Sequence, residues 1–410
     1  REYTRKIFEC QGCTNCCEVQ KIYIQGEDRP LYFGHRCERY ERSASKTDSE
    51  VPDLIRERRE ILMAHLPPDT STDPGTSEKP SMGIPRTLFF WEWLPFFATL
   101  LQELGFQPVL SRDTNKKLVA RGSSLMVTET CLPLKAAHGH VADLLEQGVE
   151  NILLPQIYDL PSLAPQQKTS TICPFVQGLP WTIRSAIDFP SRGANLLSPV
   201  LGLGRDINQA GSGWKEFAGM LGVGMRRMKL ALQRATSVQD RFRSSLRERG
   251  EQILQEVEKG RTCLLIVGRP YNSLDPGLNM DLSQKLRRQG ILALPLDFLP
   301  LEDTGDRISG ENMYWGYGQK ILAGAHMLRR YPNLHPVFVT NFSCGPDAFI
   351  LHFFQDIIGD RPFLELEIDE HTADAGVVTR LEAFWDSIRS AEKKRQQQPE
   401  KPQRANLGYR

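Results

Sequence analysis

Short apolar runs alternate with longer amphipathic stretches over most of the chain, a pattern that predicts strands alternating with helices. Residues 87–90, 151–155 and 263–267 have the length and composition of strands. The stretch that follows Cys131 carries apolar residues at helical spacing and ends at Gly148. Because such alternation is typical of parallel sheets with crossover helices, we predict an α/β fold with two Rossmann-like parallel-sheet domains.

Polar and charged stretches separate these domains. Residues 41–80 are polar and rich in turn-forming residues, with one helix expected at 53–65, and the stretch from 214 is charged and helical. The predicted segments are a Cys-rich arm (1–40), a polar linker (41–80), a first Rossmann-like domain (81–213), a helical bridge (214–259), a second Rossmann-like domain (260–390) and a disordered tail (391–410).

Three cysteines stand where a predicted strand gives way to a helix. Apolar runs at 125–128 and 337–340 precede Cys131 and Cys344, Cys173 repeats the arrangement, and a proline follows each cysteine within two residues. Ligands of open α/β sheets bind at the carboxyl ends of the strands, and a helix N-terminus favours the thiolate. We therefore expect these three thiols to converge on one cleft, and we call Cys131, Cys173 and Cys344 the cleft thiols. The alternative for each is a buried apolar filler.

Five further cysteines lie in the arm: Cys10, Cys13, Cys16, Cys17 and Cys37. The repeated Cys-x-x-Cys spacing lets neighbouring thiolates hold one metal from a tight turn. We call these five residues the arm thiols. Four of them, a set that includes either Cys16 or Cys17, would suit tetrahedral zinc as well as a cubane cluster. The alternative is a set of reduced, unligated cysteines.

Composition and charge exclude several classes of protein. The 410 residues are 40% hydrophobic, enough for packed cores, and 51 basic against 50 acidic residues argue against a nucleic-acid or anionic-membrane partner. No membrane-length apolar run and no signal peptide appear, so we expect a cytoplasmic protein. Nucleotide-binding glycine motifs are absent. Because the chain starts with Arg1, we expect it to be part of a longer protein.

Three side chains near Cys131 are candidates for handling protons. Glu129 precedes this cysteine, and His138 and His140 lie on the following helix, where they could act as acid, base or supporting groups. The alternatives are a helix-capping carboxylate for Glu129 and a packed helix face for the two histidines. Lys135 would either neutralise charge at the site or lie on the surface.

Several short motifs resemble one known family. They are residues 83–86 (GIPR), 129–135 (ETCLPLK), 268–271 (GRPY), 341–347 (NFSCGPD) and 365–371 (ELEIDEH). The chain resembles the 2-hydroxyacyl-CoA dehydratase and acyl-CoA dehydratase activase-related superfamily, and more narrowly the carboxy-terminal dehydratase-like region of the large fused activase proteins.

This resemblance implies an iron–sulfur protein of anaerobic metabolism. The cleft thiols Cys131, Cys173 and Cys344 would hold a [4Fe-4S] or double-cubane cluster, and zinc or a second cluster would occupy the arm. An ATP-hydrolysing activase domain or subunit would supply a low-potential electron for reduction or radical dehydration of a small or acyl-CoA substrate. The chain would then be a lyase or a component of an ATP-dependent reductase, with a homodimer left open.

A different class of function is also compatible with the sequence. In this alternative the chain is a non-catalytic scaffold, with zinc in the arm and an α/β body that docks an ATPase partner.

In the leading hypothesis, Cys344 comes from the second domain and the other two cleft thiols from the first. The cluster would therefore lie between the domains, and domain closure would control access to it.

Overall fold

The computed structural model describes residues 2–36, 40, 51–163, 169–204, 211–304 and 313–397. The strands are β1 (Tyr3–Glu9), β2 (Glu18–Ile24), β3 (Leu31–Phe33), β4 (Ser81–Ile84), β5 (Gln107–Leu110), β6 (Asn151–Leu153), β7 (Gln156–Asp159), β8 (Asn195–Leu197), β9 (Val200–Gly202), β10 (Cys263–Val267), β11 (Ala293–Pro295), β12 (Leu334–Asn341) and β13 (Leu364–Ile368).

Helices connect most of these strands. They are α1 (Leu54–Ala64), α2 (Phe90–Glu103), α3 (Lys116–Leu125), α4 (Leu132–Glu146), α5 (Pro174–Gln177), α6 (Leu179–Ala186), α7 (Ser212–Met220), α8 (Met225–Glu258), α9 (Pro270–Ser273), α10 (Leu282–Arg288), α11 (Gly316–Leu328), α12 (Gly345–Ile358) and α13 (Asp374–Gln397). No helix in the described ranges is both long and apolar enough to span a membrane.

The predicted α/β class is confirmed by two four-stranded parallel sheets. The first has the strand order β5-β4-β6-β8, and the second has the order β11-β10-β12-β13. We call the part of the chain that contains the first sheet the first unit, and the part that contains the second sheet the second unit. A two-stranded parallel sheet, β7-β9, also belongs to the first unit. The arm is different, because β1, β2 and β3 form an antiparallel sheet whose β1–β2 loop carries four of the arm thiols.

Two strands predicted in the first unit are absent from it. Residues 87–90 lead into α2, which is apolar on every side and buried from Phe90 to Leu101, so it packs as a core helix. Residues 125–128 contain the end of α3 and an exposed connection, in which the side chain of Val127 is 74% exposed. A buried strand could not place Val127 in solvent.

Glycines allow α3 and α4 to cross closely, and this contact positions the helix that follows Cys131. A Cβ atom on Gly122 would lie 1.8 Å from the carbonyl oxygen of Lys135. One on Gly139 would lie 2.2 Å from the carbonyl oxygen of Leu118. Only glycine fits where two backbones come this near.

The helical bridge is divided into α7 and α8, which are separated by Gly222 and Gly224. The 34-residue helix α8 buries one apolar stripe and exposes its charged face, as the sequence predicted. Gly250 of α8 packs on the backbone of Phe298 in the second unit, and α8 also packs along α2 of the first. One continuous apolar core therefore includes residues of both units. At the other end of the chain, α13 extends past the predicted start of a disordered tail at 391.

Candidate functional site

Each cleft thiol occupies the N-cap position of a helix. Cys131 precedes α4, Cys173 precedes α5 and Cys344 precedes α12, and a proline stands in the first two positions of all three helices. Among the described residues, a strand precedes the thiol only at Cys344, which follows β12 through a two-residue turn. Cys173 follows a single bridging residue, Thr171, and Cys131 follows the exposed connection after α3.

The three cleft thiols act on one another electrostatically. Burial is the main cause that raises the pKa of the Cys131 thiol; the charge of Arg269 lowers this pKa and Cys173 raises it. Burial also raises the pKa of Cys344, with further increases from Asp347 and Cys131 and an opposing effect of Arg269. The structure thus brings the three thiols from two units to the surroundings of one buried arginine.

That arginine is held by a buried network in the second unit. Arg269 is the N-cap residue of α9, separated by one residue from the end of β10, and its Nη2 lies 2.8 Å from Oδ1 of Asp347. Its Nη1 donates to the hydroxyl of Tyr271 at 3.0 Å, and the hydroxyl of Thr340 donates to Oδ2 of Asp347 at 2.7 Å. A positive charge is therefore fixed near Cys131 and Cys344, where it favours their ionised forms.

The cleft thiols supply suitable ligand atoms for an iron–sulfur cluster, but they are not gathered around one point. Within the described ranges, no group of three Cys, His, Asp or Glu side chains is arranged to hold a metal ion. Each thiol is partly exposed and stands at the start of a helix. Thiolate sulfur atoms are therefore available for the iron–sulfur cluster that the resemblance implies.

Exposed apolar side chains stand close to the cleft thiols in the sequence. Phe175 is 65% exposed two residues after Cys173, and Phe342 is 61% exposed two residues before Cys344. Together with Val127, these residues form what we call the apolar rim. Exposed apolar groups beside a functional site are typical of a surface that contacts another molecule.

The arm thiols in the β1–β2 loop form a second group. Cys10 is buried, and its Sγ accepts hydrogen bonds from the hydroxyl of Tyr40 at 3.1 Å and the backbone N–H of Gly12 at 3.4 Å. Burial and Glu9 raise the pKa of Cys16, and the thiols of Cys17 and Cys10 raise it further.

Other contacts define the position of the arm. Cys13 and Cys17 both raise the pKa of Lys116, although burial and Arg36 lower it overall. Cys37 lies outside the described residues. The loop that carries four arm thiols is thus compact and lies against α3.

The candidate proton-handling residues occupy different environments. His140 is fully buried, with Nδ1 2.7 Å from the Ser111 hydroxyl and Nε2 2.9 Å from the Thr114 hydroxyl, and burial lowers its pKa to about 3. His138 is also buried, its Nδ1 is 2.9 Å from the carbonyl oxygen of Leu134, and burial lowers its pKa. These contacts match the packed helix face that the sequence left as an alternative.

Glu129 is exposed and accepts a hydrogen bond from Lys135 Nζ at 2.5 Å. The same Nζ pairs with Glu370, which follows β13 in the second unit. Lys135 is therefore neither a surface lysine nor a free cation. It is a buried link between the two units, directly behind the helix start at Cys131.

Arg269, Tyr271 and Asp347 are the site residues that sequence reasoning did not assign. The GRPY and CGPD segments that contain them were recognised only as motifs. Each segment directly follows a strand of the second sheet, and that position is the signal that could have assigned them.

The fold and the site define an α/β protein with two four-stranded parallel sheets and three thiols that each cap the start of a helix. A family model, the CoA enzyme activase uncharacterised domain (DUF2229), matches residues 81–299. The chain belongs to this family, and membership supports a role in the acyl-CoA dehydratase and activase system, which implies a partner ATPase activase. The matched range contains Cys131 and Cys173. A search of curated proteins gave no match.

Proposed function

We propose that the chain is an iron–sulfur redox component of this system. Cys131, Cys173 and Cys344 would hold a [4Fe-4S] or double-cubane cluster, which supplies single-electron chemistry at low potential when bound. The electron would come from the partner ATPase. It would serve reduction or radical dehydration of a small or acyl-CoA substrate.

Two observations support the proposal. Cys131, Cys173 and Cys344 each cap a helix, and the charge of Arg269 acts on Cys131 and Cys344 while Cys173 acts on Cys131. At Cys131 and Cys344 the helix N-terminus and the fixed guanidinium of Arg269 favour the thiolate, whereas burial opposes it. Thiols whose ionisation is disfavoured by burial are poor surface nucleophiles, but they are well suited to a metal centre, which deprotonates its ligands on binding.

The apolar rim supports an encounter with the electron donor. Its three side chains are exposed, and each lies within four residues of a cleft thiol in the sequence. A partner that covered the rim would also exclude water from the thiols. It would bring the electron donor of the partner close to the cluster that accepts the electron. We therefore assign the rim as the docking surface of the partner ATPase.

A second metal centre in the arm is part of the proposal. Cys10, Cys16 and Cys17 already act on one another, and Cys13 lies in the same loop. With Cys37 they would provide four thiolates for zinc or a second cluster. The choice between Cys16 and Cys17 stays open.

Anaerobic purification, iron and sulfide analysis and electron paramagnetic resonance would test the proposal. Three variants are compared with the parent: all cleft thiols changed to Ala, all arm thiols changed to Ala, and Cys263→Ala, in which a thiol buried inside β10 is removed. The cleft variant should lose the low-potential reducible signal and its share of iron. The arm variant should lose only the arm metal, and Cys263→Ala should lose neither.

Two outcomes would contradict the proposal. If the cleft variant kept the charge-transfer absorption and the reducible signal of the parent, these thiols would not hold the cluster. A colourless parent protein that contains zinc alone, after strictly anaerobic preparation, would instead support a non-catalytic scaffold that docks an ATPase.

A further inference from the structure

A cavity of about 420 Å³ lies where the arm meets both units. The arm contributes Thr14 and Arg36, α3 contributes the wall that begins at Lys116, and the start of α4 contributes Leu132. The second unit closes the opposite side with the segment around Met280 and the loop after β13. None of the cysteines in the described residues lines this space, and the cleft thiols lie elsewhere.

Hydrogen bonds hold the arm in place over the cavity. The hydroxyl of Thr14 donates to Oδ2 of Asp281 at 2.8 Å, and the backbone N–H of Lys116 donates to the carbonyl oxygen of Thr14 at 3.1 Å. Asn15 Nδ2 donates to Oδ2 of Asp374 at 2.9 Å. Because three separate segments fix the loop, the cavity is formed before any ligand arrives.

Two cations line the cavity without carboxylate partners of their own. Arg36 and Lys116 lie within electrostatic range of each other, and in the described part of the chain neither forms an ion pair. Asp374, the carboxylate that acts on Lys116, is already paired with Lys285 at 2.6 Å. Two like charges at one cavity are the arrangement that an anion would relieve.

The acids of the opposite wall are already engaged. Glu370 pairs with Lys135, and Asp369 Oδ1 accepts hydrogen bonds from the Thr372 hydroxyl at 2.7 Å and the His371 N–H at 3.0 Å. The cations on the arm side are therefore the charged groups of the cavity that remain available to a ligand.

The rest of the lining is largely apolar. Leu132, Leu278 and Met280 are buried in the protein core and turn part of their surface to the cavity, and Val119 and Ile368 continue this floor. The volume is within the range of about 300–1,000 Å³ that is typical of small-molecule sites.

We propose that this cavity binds a small organic anion, whose phosphate or carboxylate is held by Arg36 and Lys116 and whose apolar body lies against Leu132 and Met280. This site is separate from the cleft thiols. It requires no metal or cluster, so its test stands apart from that of the proposed function.

Isothermal titration of the full chain with hexyl phosphate, hexanoate and 1-hexanol tests the site. At least one of the two anions should bind, and 1-hexanol should bind more weakly than that anion. Lys116→Gln and Arg36→Gln should each weaken binding by about tenfold, the usual scale for one charge-assisted hydrogen bond. Preference for phosphate or carboxylate would identify which anion the site takes.

Two further variants make the test specific. Lys117→Gln is the matched control, because Lys117 neighbours Lys116 but is exposed and pairs with Glu9, so binding should be unchanged. Ala120→Trp keeps both cations and fills the cavity from the exposed side of α3, so it should abolish binding. The proposal is overturned if neither anion binds, if 1-hexanol binds as tightly, or if the cation variants and Ala120→Trp bind as the parent does.

Discussion

Replacing Asp275 by asparagine should change how the stability of the protein depends on pH. Asp275 is a buried residue of the second unit, and its Oδ2 accepts a hydrogen bond from the hydroxyl of Thr114, in the first unit, at 2.6 Å. The backbone N–H of Gly277 donates to Oδ1 at 2.9 Å. Burial raises the pKa of this carboxyl from 3.8 to about 7, against the effect of these hydrogen bonds.

The same network contains His140, which titrates in the opposite sense. The Thr114 hydroxyl has a single proton. If this hydroxyl donates its proton to Asp275, its oxygen must accept a hydrogen bond from Nε2 of His140. The Ser111 hydroxyl then donates to Nδ1 and accepts from the N–H of Arg86. The neutral imidazole is satisfied in this arrangement, and burial lowers its pKa from 6.5 to about 3.

The two groups therefore make opposing contributions to the free energy of unfolding. Between pH 3.8 and about 7 the folded state keeps the Asp275 proton that the unfolded state has lost, so stability falls as pH rises, by about 4 kcal/mol in total. Between about pH 3 and pH 6.5 the unfolded state keeps a His140 proton that the folded state lacks, so stability rises with pH. In the wild-type protein the two slopes nearly cancel.

Asp275→Asn removes the contribution of Asp275 to the pH dependence of the free energy of unfolding, and it keeps the shape of the side chain. Relative to the wild type, its free energy of unfolding should rise by about 1.4 kcal/mol per pH unit between pH 4.5 and pH 6.5. His140→Gln should show the opposite trend. Urea unfolding at several pH values measures both, because groups common to the proteins cancel in the difference. A constant difference between Asp275→Asn and the wild type across this range would refute a protonated Asp275 in the folded state.

Two further substitutions test the surroundings of the cleft thiols. Asp347→Asn leaves the buried guanidinium of Arg269 without its carboxylate, so urea unfolding should show a loss of about 3–5 kcal/mol, and a loss below about 1 kcal/mol would contradict the pairing. Gly122→Ala adds a methyl group where α3 crosses α4, so the melting temperature should fall by several degrees. Gly219→Ala, in open space on α7, is its control and should not lower the melting temperature.

Elements with strong periodicity and clear end signals could be predicted from the sequence. Helix α1 lies within the expected range 53–65, with the Asp53 side chain accepting the N–H of Arg56 at its start. Strand β10 matches its apolar run at 263–267, because all five side chains are buried. The strands of the arm were not predicted, since β1 is mostly exposed, β2 is mostly half-buried, and no apolar alternation marks either of them.

The errors around Cys131 have a different cause. The short apolar run at 125–128 suits a strand as well as the end of a helix, and only the tertiary packing of α3 on α4 decides between them. The pairing of Arg269 with Asp347 joins two segments that are distant in sequence, so no local pattern could reveal it. The helix starts at the cleft thiols, by contrast, are set by nearby prolines and were visible in the sequence.

The contacts between the units bear on how a partner would reach the cleft thiols. The Lys135–Glu370 ion pair and the Thr114–Asp275 hydrogen bond both cross from one unit to the other, and a continuous apolar core lies behind them. A wide opening of the cleft would leave Lys135 or Glu370 without its partner and expose part of that core, which would cost several kcal/mol. The apolar rim lies at the surface already. Access through the rim therefore requires less energy than the domain opening that the sequence led us to expect.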